Sequence, residues 1–175
     1  MKKNIFIVAC FLCVSIGFSQ EVKFGFTAGY LNLSASTDYW DSEVSENHSG
    51  FFAGLFGDFT ITEAFHFEPA VIYGNADNLN ILFIPVLAKY YLGGTGFNLI
   101  AGPQGSMILD EMDPAFKRLG WDLSFGAGYD VTERIFFRAR YSVEITNRIN
   151  NNLVGATSAD NSRINSLFAG VGYKF

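Results

Sequence analysis

The chain has 175 residues, enough for one domain with a sizeable core, and 49% of them are hydrophobic while only 17% are charged. Nineteen phenylalanines and 18 glycines argue against a disordered chain, and the composition lacks the Ala, Leu, Glu and Lys bias of a helical protein. The formal net charge of -5 argues against a nucleic-acid partner.

The first segment, residues 1–19, is predicted to be a cleaved signal peptide. Two lysines precede an apolar run at residues 5–18, and small residues stand where a signal peptidase would cut. We place the cleavage after Ser19 or Gln20, so that residues 20–175 form the mature domain.

Two other interpretations of this segment remain open. Cys10 superficially fits a lipoprotein cleavage box, although apolar chain still follows it. A retained membrane anchor is the other, but the run is shorter than the roughly 20 apolar residues that a spanning helix needs. Both cysteines of the chain, Cys10 and Cys13, lie here, so the mature domain has no disulfide framework or thiol nucleophile.

After the signal peptide, period-two alternation of apolar and polar residues predicts eight strands. The seventh, ERIFFRARYSVEITN, shows the pattern most clearly, because its apolar residues alternate with arginine, serine, glutamate and threonine. The predicted strands lie near residues 22–30, 50–60, 65–73, 81–92, 97–107, 121–130, 135–146 and 166–175. Each of them is long enough to cross a bilayer when tilted, since a tilted strand needs roughly 9–11 residues.

The lengths of the connections alternate as well. Those at residues 61–64, 93–95 and 131–134 are short, whereas those at 35–49, 75–80, 110–117 and 148–163 are polar and mostly longer. Tight turns at one end and long loops at the other are typical of outer-membrane barrels. The sequence therefore predicts an all-β fold, an eight-stranded antiparallel up-and-down transmembrane β-barrel that is monomeric, with the N-terminus, the C-terminus and the short turns periplasmic and the long loops extracellular.

An eight-stranded barrel is just wide enough for side chains to fill it, so the polar face is predicted to point into the lumen and the apolar face into lipid. The inward positions carry five cations and five anions, which favours an internal charge network over a single-sign ring that selects ions. The predicted network is Lys23, Asp58, Glu68, Lys89, Asp122, Asp130, Arg138, Arg140, Glu144 and Lys174.

Outward aromatic residues near the strand ends are predicted to form the girdles at the two membrane–water interfaces. The predicted girdle comprises Phe24, Tyr30, Phe59, Phe65, Tyr73, Trp121, Tyr129 and Tyr141.

Several short motifs are spread along the mature chain: GFFAGLFG at residues 50–57, Phe67-Glu68-Pro69 with Tyr73, IPVLAKYY at 84–91, GFNLIAGPQ at 96–104, GAGY at 126–129, ARY at 139–141 and GVGYKF at 170–175. Together they resemble the PorT-like outer-membrane β-barrel family of Bacteroidota. The resemblance spans essentially the whole mature chain and implies an eight-stranded outer-membrane barrel, with some relatives linked to secretion. The terminal Tyr173 and Phe175 resemble the aromatic signal that the barrel-assembly machinery reads.

No catalytic, cofactor-binding or metal-binding residue is assigned, and no cofactor is expected. His66 beside Glu68 lacks a serine at a recognisable spacing, and Asp110-Glu111-x-Asp113 matches no established calcium loop. The predicted function is a structural, adhesion or interaction role, linked to secretion or envelope assembly through an envelope or extracellular protein partner. A narrow channel is the first alternative, and a membrane-embedded lipid hydrolase is the second.

Overall fold

The structure, a computed structural model, describes residues 21–39, 42–111, 116–149 and 161–175. The predicted signal peptide, both cleavage positions and Cys10 lie outside the described residues, as do Asp113 and most of the connection before the last strand. Within the described part of the chain, no helix is long and apolar enough to span a bilayer.

Eight strands make up the fold. They are β1 (Val22–Tyr39), β2 (Ser42–Thr60), β3 (Phe65–Ala76), β4 (Leu79–Tyr91), β5 (Phe97–Ile108), β6 (Leu119–Asp130), β7 (Ile135–Glu144) and β8 (Asn161–Lys174). Each strand pairs antiparallel with its neighbours in sequence, and β8 pairs with β1 to close the barrel. The predicted all-β, eight-stranded, up-and-down fold is confirmed.

The two ends of the barrel differ in their connections. We call the end with the connections 61–64, 92–96 and 131–134 the terminal end, since β1 begins there and β8 ends there. The opposite end, with the connections 40–41, 77–78, 109–118 and 145–160, is the loop end.

The prediction of a loop is wrong for most of two of the four segments at this end. Residues 35–49 mostly belong to β1 and β2, which stay paired as far as Tyr39↔Ser42. Residues 75–80 contain a two-residue turn, in which Asp77 and Asn78 have φ angles of 47° and 70°. Aspartate and asparagine tolerate this left-handed conformation, which a tight hairpin turn requires.

The interior of the barrel is more apolar than a charge network alone would make it. A hydrophobic cluster fills much of the lumen on the β1–β4 side and reaches β8. At its centre the ring of Phe168 packs edge-on against Phe52 and Phe83, with centroids 5.3 and 5.0 Å apart. The prediction of a polar lumen therefore describes only part of the interior. The cluster consists of Leu31, Leu33, Phe52, Phe56, Ala70, Ile72, Ala76, Ile81, Phe83, Ile108, Phe136 and Phe168.

Candidate functional site

Six of the ten predicted lumen residues meet near the terminal end of the barrel. We call this group the terminal cluster: Asp58, Glu68, Lys89, Asp130, Arg138 and Lys174. Its centre is Lys89, whose fully buried Nζ lies 2.5 Å from Asp58 Oδ2 and 3.0 Å from Glu68 Oε2. Arg138 binds the other side of Glu68 in a bidentate manner, through a short Nη1–Oε1 contact and an Nη2–Oε2 bond of 2.8 Å. Each of these two carboxylates thus contacts at least one cation directly.

The remaining members of the terminal cluster extend the network towards the mouth. Lys174 Nζ lies 2.5 Å from Asp130 Oδ2 and 3.6 Å from Asp58 Oδ2. Tyr91 donates its hydroxyl to Asp130 over 2.8 Å. Because three cations face three carboxylates, the formal charge of this cluster is zero.

His66 stands at the mouth of the same end, with Nδ1 2.7 Å from Asp58 Oδ1. It borders an open cavity of about 650 Å³ that Asp130, Tyr91 and the adjoining turns also line. Thr60 Oγ1 approaches the Nδ1 atom that Asp58 already occupies, at 3.5 Å. This hydroxyl is therefore not placed for activation by a free ring nitrogen, as a hydrolase nucleophile would have to be.

Two further predicted residues, Asp122 and Glu144, lie near the loop end, in a group that we call the loop cluster: Gln104, Ser106, Asp122, Glu144 and Arg148. Arg148 Nε lies 2.7 Å from Glu144 Oε1, and both side chains are buried. Glu144 also accepts the backbone N–H of Ile164 at 2.6 Å. Asp122 is held by neutral donors, Gln104 Nε2 at 2.8 Å and Ser106 Oγ at 3.4 Å.

The sequence analysis assigned Arg148 to the fourth long loop and so missed its role in the lumen. Its side chain is 2% exposed, and its guanidinium also donates to Ser106 Oγ over 2.8 Å. The sequence did contain one indication of this role. Arg148 follows the inward residue Glu144 by four positions, and in an extended segment residues an even number of positions apart lie on the same face.

The last two predicted network residues belong to neither cluster. Lys23 lies at the terminal rim, where its half-exposed side chain pairs with Glu21 at 3.2 Å. Arg140 is 4% exposed and stacks its guanidinium over the Phe168 ring at 4.1 Å. It forms no ion pair with any carboxylate that the structure describes.

Most of the predicted girdle residues occur at two levels on the outside of the barrel. Phe24, Phe59, Phe65 and Tyr129 lie towards the terminal end, and Tyr30, Tyr73 and Trp121 lie towards the loop end. Tyr141 differs, because it pairs with Phe125 midway along β7 and the two rings are 5.8 Å apart.

The residues of the predicted assembly signal lie side by side at the terminal end. Tyr173 stacks on Phe26 with centroids 6.0 Å apart, and Phe175 lies 5.8 Å from Tyr173. The Phe175 ring is 72% exposed.

The acidic stretch at the loop end contains an internal contact. Asp110 accepts the backbone N–H of Asn80 at 2.6 Å and its side-chain amide at 2.8 Å. These hydrogen bonds lower the pKa of Asp110. Among the described residues, no group of three or more His, Cys, Asp or Glu side chains could hold a metal ion.

Comparisons with known proteins identify the family to which this barrel belongs. The description "Outer membrane protein beta-barrel domain" belongs to a family model that matches residues 6–175. No curated protein sequence matches the chain. Among solved structures, Neisserial surface protein A is similar with a TM-score of 0.53 at 17% identity, over 89% of this chain and 99% of that chain.

Two further solved structures are similar at lower scores. Ail, the attachment invasion locus protein of Yersinia pestis, gives a TM-score of 0.48 at 13% identity, over 89% of this chain and 99% of that chain. OprG of Pseudomonas aeruginosa gives 0.40 at 15% identity, over 89% of this chain and 97% of that chain. With the family match covering nearly the whole sequence and the closed eight-stranded barrel formed from it, the chain belongs to the outer membrane protein beta-barrel domain family.

Proposed function

We propose that this protein is a non-enzymatic recognition component of the bacterial outer membrane. In this proposal the barrel is a monomeric anchor in the lipid, inserted by the assembly machinery through Tyr173 and Phe175. The terminal end faces the periplasm and the loop end faces the outside of the cell. A hairpin at the loop end binds an extended segment of a partner protein.

The observation that carries the proposal is the free edge of β2. Pairing between β2 and β3 ends at Gly50↔Ala76, whereas pairing between β1 and β2 continues to Tyr39↔Ser42. Residues 42–49 of β2 therefore have a strand partner on one side only within the described part of the chain. Eight residues of strand extend about 27 Å.

Hydrogen bonds show which groups point along this free edge. The N–H of Ser49 donates away from β1 to Asp77 Oδ2 over 3.1 Å. The carbonyl of His48 faces β1, where it accepts the Asn32 side-chain amide over 3.3 Å. Since backbone direction alternates along a strand, the N–H of Asn47 also points to the free edge. An unpaired edge of this kind is a template for an added strand.

The charge beside the edge indicates the chemistry of the partner. Glu46 is exposed and Asp77 lies next to Ser49 and His48. Along the sequence, three more acidic residues, Asp38, Asp41 and Glu43, occur within residues 38–43. An extended segment rich in lysine or arginine complements this edge, while pairing with a second copy would bring like charges together.

The packed lumen favours this function over a channel. Both clusters and the hydrophobic cluster occupy the interior, and the cavity beside Arg140 measures about 20 Å³. We expect no steady conductance from the folded protein in a planar bilayer. A stable open-state conductance of the wild-type protein would support the channel function instead.

Crosslinking in intact cells tests the proposal, and the lack of cysteines after Cys13 makes single-cysteine variants clean reporters. We expect Glu46→Cys to react with a membrane-impermeant maleimide and to capture a protein partner, and Thr62→Cys in the terminal-end turn to do neither. Capture from Thr62→Cys alone would contradict surface recognition and support an envelope-assembly role.

A backbone variant tests strand addition itself. Asn47→Pro in the Glu46→Cys background removes the free-edge N–H without removing a hydrogen bond to β1. We expect it to abolish capture, while the matched Asn47→Ala variant, which keeps the N–H, retains it. Equal capture by both variants would show that the partner does not bind as a strand.

A further inference from the structure

The cavity beside Arg140 lies between the two charged clusters, in the middle of the lumen. Its lining consists of Thr27, Phe52, Ile72, Arg138, Arg140 and Phe168, and its volume is about 20 Å³. A volume above roughly 10–15 Å³ holds one water-sized particle. The site therefore accepts a single small ion or molecule and is too small for phosphate, sulfate or a carboxylic acid.

The two arginines at this cavity carry hydrogen-bond donors that lack acceptors among the described residues. Nε and Nη2 of Arg140 and Nε of Arg138 are buried and have no hydrogen-bond acceptor among the residues that the structure describes. Leaving buried charged donors unsatisfied is costly, so an acceptor at this position would stabilise the barrel.

The neighbouring carboxylates are engaged elsewhere. Glu68 is bound by Arg138 and Lys89, and Glu144 is bound by Arg148. Asp122 accepts from Gln104 and Ser106 and forms no ion pair with Arg140 among the described contacts. Arg140 thus lacks a contacting counter-charge as well as an acceptor.

The lining distinguishes an anion from a water molecule. A water that accepts bonds from the two arginines must also donate its own two hydrogens. The lining can receive only one of them at a side-chain oxygen. Thr27 Oγ1, which donates to the Val171 carbonyl over 3.0 Å, keeps a lone pair that can accept, whereas the other five side chains are the two arginines, two phenylalanines and one isoleucine. A spherical anion needs donors only, and it supplies the missing charge.

We propose that this cavity binds one small monovalent anion of the halide class, held by the guanidinium groups of Arg140 and Arg138 inside the barrel. The clusters on either side cover the site, so the ion enters when the barrel folds or when it opens transiently. The bound anion locks the centre of the lumen, where β7 faces the Phe168 ring.

Bromide is the probe for the first test. The protein is refolded and crystallised in sodium bromide, and anomalous scattering is measured at the bromine edge. We expect one anomalous peak in the lumen next to Arg140 Nε and Nη2. Density at the cavity without anomalous signal would show water there and overturn the proposal.

Thermal unfolding in solution is the second test and needs no crystals. The midpoint in sodium chloride is compared with that in sodium gluconate at equal ionic strength, since gluconate is too large for the cavity. We expect chloride to raise the midpoint by about 3 °C or more in the wild type. Arg140→Met should abolish this difference, whereas Lys23→Met, which removes the same charge at the rim, should keep it. Equal midpoints in the wild type, or a difference that persists in Arg140→Met, would contradict an anion at Arg140.

Discussion

The terminal cluster and the loop cluster hold their buried carboxylates in different ways. At the terminal end, Glu68 lies between Arg138 and Lys89, and Asp58 contacts Lys89 and His66. At the loop end, Asp122 is held by an amide and a hydroxyl, and Glu144 combines one arginine with the backbone N–H of Ile164. One cluster depends on ion pairs that share partners, and the other depends largely on neutral donors.

This difference shows how much each region depends on a single side chain. Removing Glu68 from the terminal cluster leaves two buried cations, Arg138 and Lys89, without their shared anion. Removing Asp122 from the loop cluster leaves the neutral groups of Gln104 and Ser106, which can turn towards each other or towards water. Burying an unpaired charge costs several kcal/mol more than burying an unpaired neutral group. The terminal end should therefore be the more sensitive region of the lumen.

The largest expected effect comes from Glu68→Ala. The variant leaves Arg138 and Lys89 buried without the carboxylate that they share, and we expect a loss of about 3–5 kcal/mol in the free energy of unfolding. Urea titration of the protein folded in lipid vesicles measures it. Glu68→Gln, which keeps the shape and one acceptor, should lose less. A loss below about 1 kcal/mol for Glu68→Ala would mean that the terminal cluster is no more sensitive than the loop cluster.

A second variant compares the interior with the lipid-facing side. Ala139 is exposed on the outside of β7 between two inward arginines, and it pairs with Ala127 and Ala169 midway along those strands. Ala139→Arg adds a third arginine on the opposite face, and we expect it to cost about 2–4 kcal/mol of unfolding free energy. The same vesicle assay measures it, with Ala139→Leu as the size control. Wild-type stability for Ala139→Arg would imply that this face is not in lipid.

The loop cluster should respond less. Asp122→Asn keeps the volume of the side chain, and its new amide can exchange hydrogen bonds with Gln104 after that amide rotates. We expect a loss of about 0.5–1.5 kcal/mol, clearly below that of Glu68→Ala in the same assay. An equal loss for the two variants would remove the distinction between the clusters.

The strands and their faces could be predicted because alternation is a local property. The hydrophobic cluster could not, since barrel closure decides which inward residues of β2, β4 and β8 meet. The loop-end part of the β1–β2 hairpin was predicted to be a loop because its sequence is mostly polar, so that apolar and polar residues do not alternate there. Arg148 was missed for a related reason: it follows the end of β7, and only its spacing from Glu144 hinted at a shared face.

The smallest effect is expected at the loop-end rim, where Asp110 is only partly buried and accepts hydrogen bonds from uncharged donors. Hydrogen bonds from Asn80 lower its pKa in the folded protein. Because the folded-state pKa is lowered, the contact stabilises the folded protein fully at pH values above the ordinary aspartate pKa. This stabilisation is lost as the pH falls through the folded-state pKa. We expect the Asn80 amide resonance to titrate with a midpoint below the ordinary aspartate value of about 3.9, and Asp110→Asn to abolish that response. A midpoint at or above that value would show that Asn80 does not hold the carboxylate. The start of β4 would then be joined to the segment after β5 by the backbone hydrogen bond from Leu109 N–H to the Asn80 carbonyl, at 2.9 Å, and not by the Asp110 side chain.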